Sequence, residues 1–394
     1  MKQKRIIIVT HRFYPLIGGA ENQALLLAKN LVVRGNDVCV LTSKIDNALR
    51  SEIIDGVSIV RLNKYGVERN FHRFILLFNF RLLFYLSFRL RQFDKTLYFF
   101  AIDFFAISAF PLKWFGKETI IRTATPSASS EIGGNYKNGK FYKYRRFLIS
   151  AFTKFIAITT EIESNLLNEG IEQNRIIRMN NGVDTSIFFP LNNDERLKVR
   201  NLLNLKEEII YLLFCGHFYK TKGLDYLIDS LIELGKSHHI CNTELLILGS
   251  NQSIPKKNSF EEDIIYRIRR SDFPIRINFL GQIYEREKYF QAADIFVLPS
   301  QSEGMPNALL EAMACGLACI ATNVGGVIDI IQHEVTGYMV KYRDNKELGN
   351  AICELIRDEY LRKRIGKQAF MYIKAQNGIE NVANEYERVF KNLL

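Results

Sequence analysis

A chain of 394 residues, 47% hydrophobic and 24% charged, has the length and apolar content for two folded domains, which excludes disordered and fibrous classes. Its formal net charge of +11 asks for an anionic partner. No zinc-finger, basic-zipper or RNA-binding aromatic motif is present, so nucleic acid is set aside in favour of a membrane surface or phosphate-bearing substrates. Cys39, Cys215, Cys241, Cys315, Cys319 and Cys353 form no Cys-x-x-Cys pair and no metal-spaced cluster. Buried thiols in a reducing cytoplasm are the expectation.

Residues 5–10 read as a buried first strand. A loop with Pro15, Gly18 and Gly19 follows, then a helix over 20–34 closed by Gly35, then a strand over 37–42. This order is that of a Rossmann-like half, although the Gly-x-Gly-x-x-Gly fingerprint is absent. Residues 71–90 are rich in Phe and Leu, with Arg69, Arg73, Arg81, Arg89 and Arg91 interspersed and no acid between Glu68 and Asp94. Spanning a bilayer takes about 20 nearly uncharged residues, and Arg81 interrupts the run. Two readings stay open: a core-packed helix whose arginines reach water, or a helix docked on anionic lipid.

Strands are expected over 96–100 and 119–123, around a helix over 104–114. Lys137, Lys140, Lys143, Arg145 and Arg146, with Tyr136, Tyr142 and Tyr144 between them, form either a solvated basic face or the side that meets an acceptor. A strand (155–159), a helix (161–169) and a strand (176–179) lead to Asn180-Asn181-Gly182-Val183-Asp184. A polar helical stretch over 192–206 reads as the connection to a second half.

That half restarts with a strand over 209–215 ending at Gly216. The loop from His217 to Lys222 and Gly223 leads into a helix over 224–234. Strands over 244–248 and 275–280 end at Gly249 and at Gly281-Gln282, which clears room at their carboxyl edge. After a helix over 285–293 comes Ile295 to Leu298, a short apolar run read as a parallel strand. Pro299 and Gly304 break it, Pro306 occupies a first helical position, and residues 307–315 read as helix. A further strand (318–322) and helices over 347–357, 359–374 and 378–394 complete the chain. The helix start at Met305, Pro306, Asn307, Ala308 and Leu309 suits a phosphate. Glu303 and Glu311 flank it as hydroxyl acceptors, so the pair fits a nucleotide-sugar, Glu303 on the sugar and Glu311 on the ribose. No Asp-x-Asp occurs to anchor a metal.

The Glu303-x7-Glu311 spacing, with Gly304 and Pro306 inside, resembles the signature of retaining glycosyltransferases of family 4, which have the GT-B fold. Gly18-Gly19-Ala20-Glu21 is similar to that family's Gly-Gly-x-Glu loop, and Asn181-Gly182-Val183-Asp184 to its crossover. Lys222-Gly223 matches the end of its Gly-Arg-x-x-x-x-Lys-Gly turn, with His217 where an arginine usually stands. The resemblance implies an α/β protein of two Rossmann-like domains facing across a cleft. These are an acceptor-binding domain (1–185), a donor-binding domain (186–374) and a final helix (375–394) returning to the first. It implies transfer of a sugar, with retention, from a UDP- or GDP-type nucleotide-sugar to a lipid-linked or growing polysaccharide acceptor, without metal or cofactor.

Glu303, Lys222 and His217 would be catalytic. Gly18, Gly19, Gly216, Gly249, Gln282, Gly304 to Leu309 and Glu311 would hold the donor. His11, Arg12, Arg122 and Tyr136 would lie on the acceptor side. Arg122 takes the place where many members carry a histidine, since none occurs between His72 and His217. The location implied is the cytoplasm, at the inner membrane face if residues 69–91 touch lipid. The rival readings are another GT-B enzyme, a sugar-nucleotide epimerase or phosphorylase, and a non-catalytic basic scaffold on membrane or nucleic acid.

Overall fold

The computed structural model describes residues 5–15, 18–45, 48–64, 71–93, 95–99, 102–124, 147, 149–237, 242–249, 259–271 and 273–392. Tyr136, Arg69 and the basic stretch 137–146 lie outside the described residues. The chain divides into two compact units, Met1–Gly182 with Ile379–Leu394, and Val183–Gly378.

In the first unit the strands are β1 (Arg5–Val9), β2 (Asp37–Lys44), β3 (Ser51–Ile54), β4 (Val57–Lys64), β5 (Lys95–Phe99), β6 (Glu118–Thr123), β7 (Lys154–Ala157) and β8 (Ile176–Arg178). They form one sheet in the order β3-β4-β2-β1-β5-β6-β7-β8, parallel except for the β3–β4 pair. Ile6, Ile8 and Val9 of β1 are fully enclosed, as befits a central strand covered on both faces. The helices are α1 (Gly19–Val33), α2 (Phe71–Ser87), α3 (Ile102–Trp114) and α4 (Thr160–Asn168). Because α1 leads from β1 toward one sheet edge while α2 and α3 lead toward the other, right-handed crossovers place α1 on one face and α2 and α3 on the opposite one.

The β3–β4 hairpin was not anticipated from sequence. It turns on Asp55 and Gly56, both left-handed (φ 47° and 79°), the two-residue turn whose twist matches paired strands.

Among the described residues, six parallel strands build the second unit: β9 (Ile210–Cys215), β10 (Thr243–Leu248), β11 (Arg276–Gly281), β12 (Ile295–Leu298), β13 (Ala318–Thr322) and β14 (Tyr338–Val340). Their order is β11-β10-β9-β12-β13-β14, so the chain reverses direction across the sheet between β9 and β12. Around them lie α5 (Asn193–Leu202), α6 (Leu224–Ser237), α7 (Ser259–Arg270), α8 (Glu287–Ala292), α9 (Asn307–Ala314), α10 (Asn345–Arg357) and α11 (Glu359–Gln376). Asn192 and Glu195 start α5 with a reciprocal capping box.

Helix α12 (Ile379–Asn392) belongs to the first unit, against α1. Arg34 Nη2 donates to Glu380 O at 2.8 Å, and Asn36 Nδ2 donates to Glu387 Oε1 at 2.8 Å. Val382, Ala383, Tyr386 and Phe390 are buried there.

Candidate active site

In an open parallel sheet, ligands bind beyond the carboxyl ends of the strands, where the strand order reverses. In the second unit that place is the gap between β9 and β12. The neighbouring strands end in glycine for a geometric reason. Gly249 adopts φ 138°, and a Cβ there would lie 1.9 Å from Gly216 O. Its N–H donates to Gly281 O at 2.8 Å, while Gly216 N–H donates to Leu248 O at 3.0 Å. The three strand ends are thus laced into one shallow backbone edge, with Gln282 half-buried just beyond it.

Two loops meet over this edge. After β9 the chain passes exposed His217, whose ring lies 5.8 Å from that of Tyr219, and makes a 3₁₀ turn over Lys220–Lys222. Gly223, at φ 70°, ends the turn so close to β12 that a Cβ would stand 2.0 Å from Pro299 O. Gln301 N–H donates to Thr221 O at 2.8 Å and ties the two loops together. Lys222 therefore reaches Glu303. Its ammonium donates to Oε1 at 2.7 Å and Oε2 at 2.9 Å. Ser300 Oγ donates to the same Oε1 at 2.6 Å, and Gly326 N–H holds Gly304 O at 2.8 Å. Glu303 is buried and Lys222 half-buried.

Helix α9 begins immediately afterward. Pro306 is its N-cap rather than its first helical residue, with φ −74° and ψ 114°. This shifts the expected start by one position, because the Pro306 carbonyl already accepts from Leu309 and Leu310. Met305 is buried, and Asn307 and Ala308 open the first turn, at the positive end of the helix dipole.

Glu311 lies one turn further along and is 6% exposed. Arg286, the residue before α8, donates to its Oε1 at 2.5 Å. Its Oε2 is enclosed and has no hydrogen-bond partner among the described residues. Burial pushes the Glu311 carboxyl up to about 7, with Arg286 pulling it down and Glu287 adding to the rise. Neither Ser300 nor Arg286 was singled out from sequence. Arg286 lies 25 positions from its partner in a polar run, where no local pattern marks it.

The first unit carries its own group of expected residues at the carboxyl end of β1. His11 is buried, and burial, with the Arg12 charge next in weight, lowers it to about 4. It is therefore neutral near pH 7. Arg12 Nε lies 3.2 Å from Glu21 Oε1. Gly18 caps α1 in an extended conformation, and a Cβ on it would meet Glu21 Oε2 at 2.1 Å. Gly19 is the first residue of α1. Gln23 exchanges two hydrogen bonds with Gly182, at 2.7 and 2.9 Å, which fixes α1 against the end of the unit. Arg122 is 2% exposed, bonded to Asn181 and stacked 4.8 Å from the Phe99 ring centre. Its guanidinium is engaged inside the unit.

Two family models match the chain, one described as Glycosyltransferase Family 4 over residues 17–187 and one as Glycosyl transferases group 1 over residues 195–371. The chain is 26% identical over 244 residues to N-acetyl-alpha-D-glucosaminyl L-malate synthase of Bacillus anthracis, covering 60% of each protein. It is 26% identical over 247 residues to UDP-Gal:alpha-D-GlcNAc-diphosphoundecaprenol alpha-1,3-galactosyltransferase of Escherichia coli, 62% of this chain and 60% of that one. Among solved structures, Anabaena HepE in complex with UDP superposes with a TM-score of 0.77 at 15% identity, over 99% of this chain and 100% of the other.

Proposed function

The chain belongs to glycosyltransferase family 4 and has the GT-B fold of two Rossmann-like units, and we propose that it transfers a sugar, with retention, from a UDP- or GDP-type nucleotide-sugar to a lipid-linked or growing polysaccharide acceptor. One observation carries this reading. At the switch point of the second unit, Lys222 is locked onto Glu303 beside a helix start, and a second buried carboxylate, Glu311, has an oxygen to spare.

In this reading the donor diphosphate lies against Lys222 and the amides that open α9. An ammonium has three N–H groups. Glu303 takes two of them, and the third is left for a phosphate oxygen. As the nucleoside diphosphate departs, Lys222 and the α9 amides answer its growing negative charge. His217 flanks the same loop as a further donor. Glu303 accepts from hydroxyls of the sugar, and Glu311 accepts from hydroxyls of the ribose. The glycine edge at Gly216 and Gly249, with Gln282, leaves room for the base. Neither glutamate serves as a nucleophile. The acceptor attacks from the face the diphosphate leaves, and the departing phosphate takes its proton. The reading requires neither metal nor cofactor, since the stabilising charge is supplied by this chain.

On the acceptor side stand His11 and Arg12, while Gly18 and Gly19, which open α1, face the donor. The Escherichia coli relative, by its name, acts on a sugar linked to diphosphoundecaprenol, and HepE was crystallised with UDP. Both support the substrate classes proposed for a cytoplasmic enzyme that meets its acceptor at a membrane.

Thermal unfolding with UDP, GDP, ADP and CDP tests the donor reading. A nucleotide at a hundred times its dissociation constant adds about 2.7 kcal/mol of stability. UDP or GDP is expected to raise the melting temperature, and the absence of a shift with all four would end the proposal. Conversion of the nucleotide-sugar to another sugar in the absence of acceptor would favour an epimerase instead.

A further inference from the structure

Helix α2 is apolar on two sides. Phe74, Phe78, Leu82 and Leu86 are buried on one side. Leu76, Phe80 and Phe84 repeat every four residues on the other, followed at the same spacing by Phe88 just past the helix end, and they are 60%, 69%, 62% and 71% exposed. At 100° per residue the two sets occupy opposite sectors, and a helix apolar all round is normally enclosed. Phe84 and Phe88 meet edge to face, with ring centres 4.7 Å apart, so the stripe is continuous at its end.

Helix α3 packs beside α2 and ends in Trp114, 85% exposed, with Phe115, 64% exposed, just after it. Lys117 Nζ donates to Phe93 O at 2.8 Å, which joins the segments that follow the two helices. Among the described residues of the segment that carries the stripe, the charge is of one sign. Arg73, Arg81 and Arg91 are exposed, and no acid occurs between Glu68 and Asp94. No helix among the described residues is long and apolar enough to cross a membrane.

We propose that this face seats the protein on an anionic lipid bilayer. The phenylalanine stripe and Trp114 enter the headgroup layer, where amphipathic rings are favoured, and the arginines meet lipid phosphate. A second copy of the chain is the poorer occupant. Symmetric pairing of α2 on α2 would set arginine against arginine with no carboxylate on that segment to answer. The argument stands on the first unit alone and does not depend on the transfer reaction.

Trp114 is the chain's single tryptophan, so its fluorescence reports the exposed end of α3, the helix packed beside the stripe. The full-length protein is mixed with vesicles of phosphatidylcholine alone or of phosphatidylcholine with phosphatidylglycerol. Sedimentation with the anionic vesicles and a blue shift of Trp114 emission are expected, both weakened by salt. Phe80→Ser with Phe84→Ser is expected to lower the partition by about tenfold or more. Circular dichroism and thermal unfolding establish that this variant is folded. The proposal is overturned if the wild type stays in the supernatant with unchanged emission, or if the folded variant partitions as the wild type does. A wild-type dimer that the variant dissolves to monomers, without vesicle binding, also overturns it.

Discussion

At Glu303 one carboxylate answers both the Lys222 ammonium and the Ser300 hydroxyl, so changing it is a sharp test of the site. Glu303→Gln removes a charge-assisted contact of about 1.5–3 kcal/mol, and the expected loss in kcat/KM is roughly ten- to a hundredfold. Steady-state transfer assays read this directly, and near wild-type turnover would refute the role. Glu311 is expected to leave its mark on pH dependence. As its carboxyl ionises above about 7, it becomes a full acceptor for ribose hydroxyls, so UDP binding should tighten as pH rises through that value. Arg286→Leu removes the group that pulls the carboxyl down, and should move the midpoint upward in a calorimetric titration with UDP. The stability sign runs the opposite way. With a folded value above the ordinary carboxylate value of 4.5, Glu311 favours the fold fully below about pH 4.5 and loses that contribution as pH rises through about 7. Glu311→Gln should gain melting temperature relative to wild type across that window. The Glu303–Glu311 spacing is legible in the sequence because both acids lie on one strand–loop–helix. The Arg286 clamp is not legible, because only tertiary packing brings it to Glu311.

Among the elements, the second unit is the more readable, because each strand that borders the site stops at a residue with a backbone reason to be there. Gly249 is the clearest case, since its left-handed φ and its contact with Gly216 O both forbid a side chain. Gly249→Ala should destabilise the protein by about 3 kcal/mol or more, measured by urea unfolding, and should disturb nucleotide binding along with it. Two elements had local signals that pattern reading passed over. The β3–β4 hairpin is announced by Asp55-Gly56 between runs of β-branched residues. Helix α7 has Glu261 and Glu262 in its first turn and arginines in its last, as the helix dipole favours. Other features could not be read in advance. Arg61 is 1% exposed, yet it bonds the carbonyls of Leu49 and Tyr14 and pairs with Glu52 at 2.5 Å. An arginine in an alternating strand looks like a solvent-facing residue until its partners are in place.

For the molecule as a whole, the decisive feature is that the first unit is assembled from two distant stretches of chain. Ending the protein after Gly378 removes the buried faces of Val382, Tyr386 and Phe390 from that unit. At about 1.5–3 kcal/mol per large apolar side chain, the loss approaches the whole stability of an ordinary domain. Such a truncated protein should show early unfolding of the first unit in hydrogen exchange, while residues 183–378 keep their protection.

The same arrangement sets an order of events during synthesis. The ribosome delivers residues 1–182 first, but the helix that closes their exposed flank arrives only after all of 183–378 has been made. At about 5–20 residues per second this leaves the half-built sheet waiting for roughly ten to forty seconds with an apolar surface uncovered. The newborn chain is therefore a natural client for a chaperone until its final helix docks.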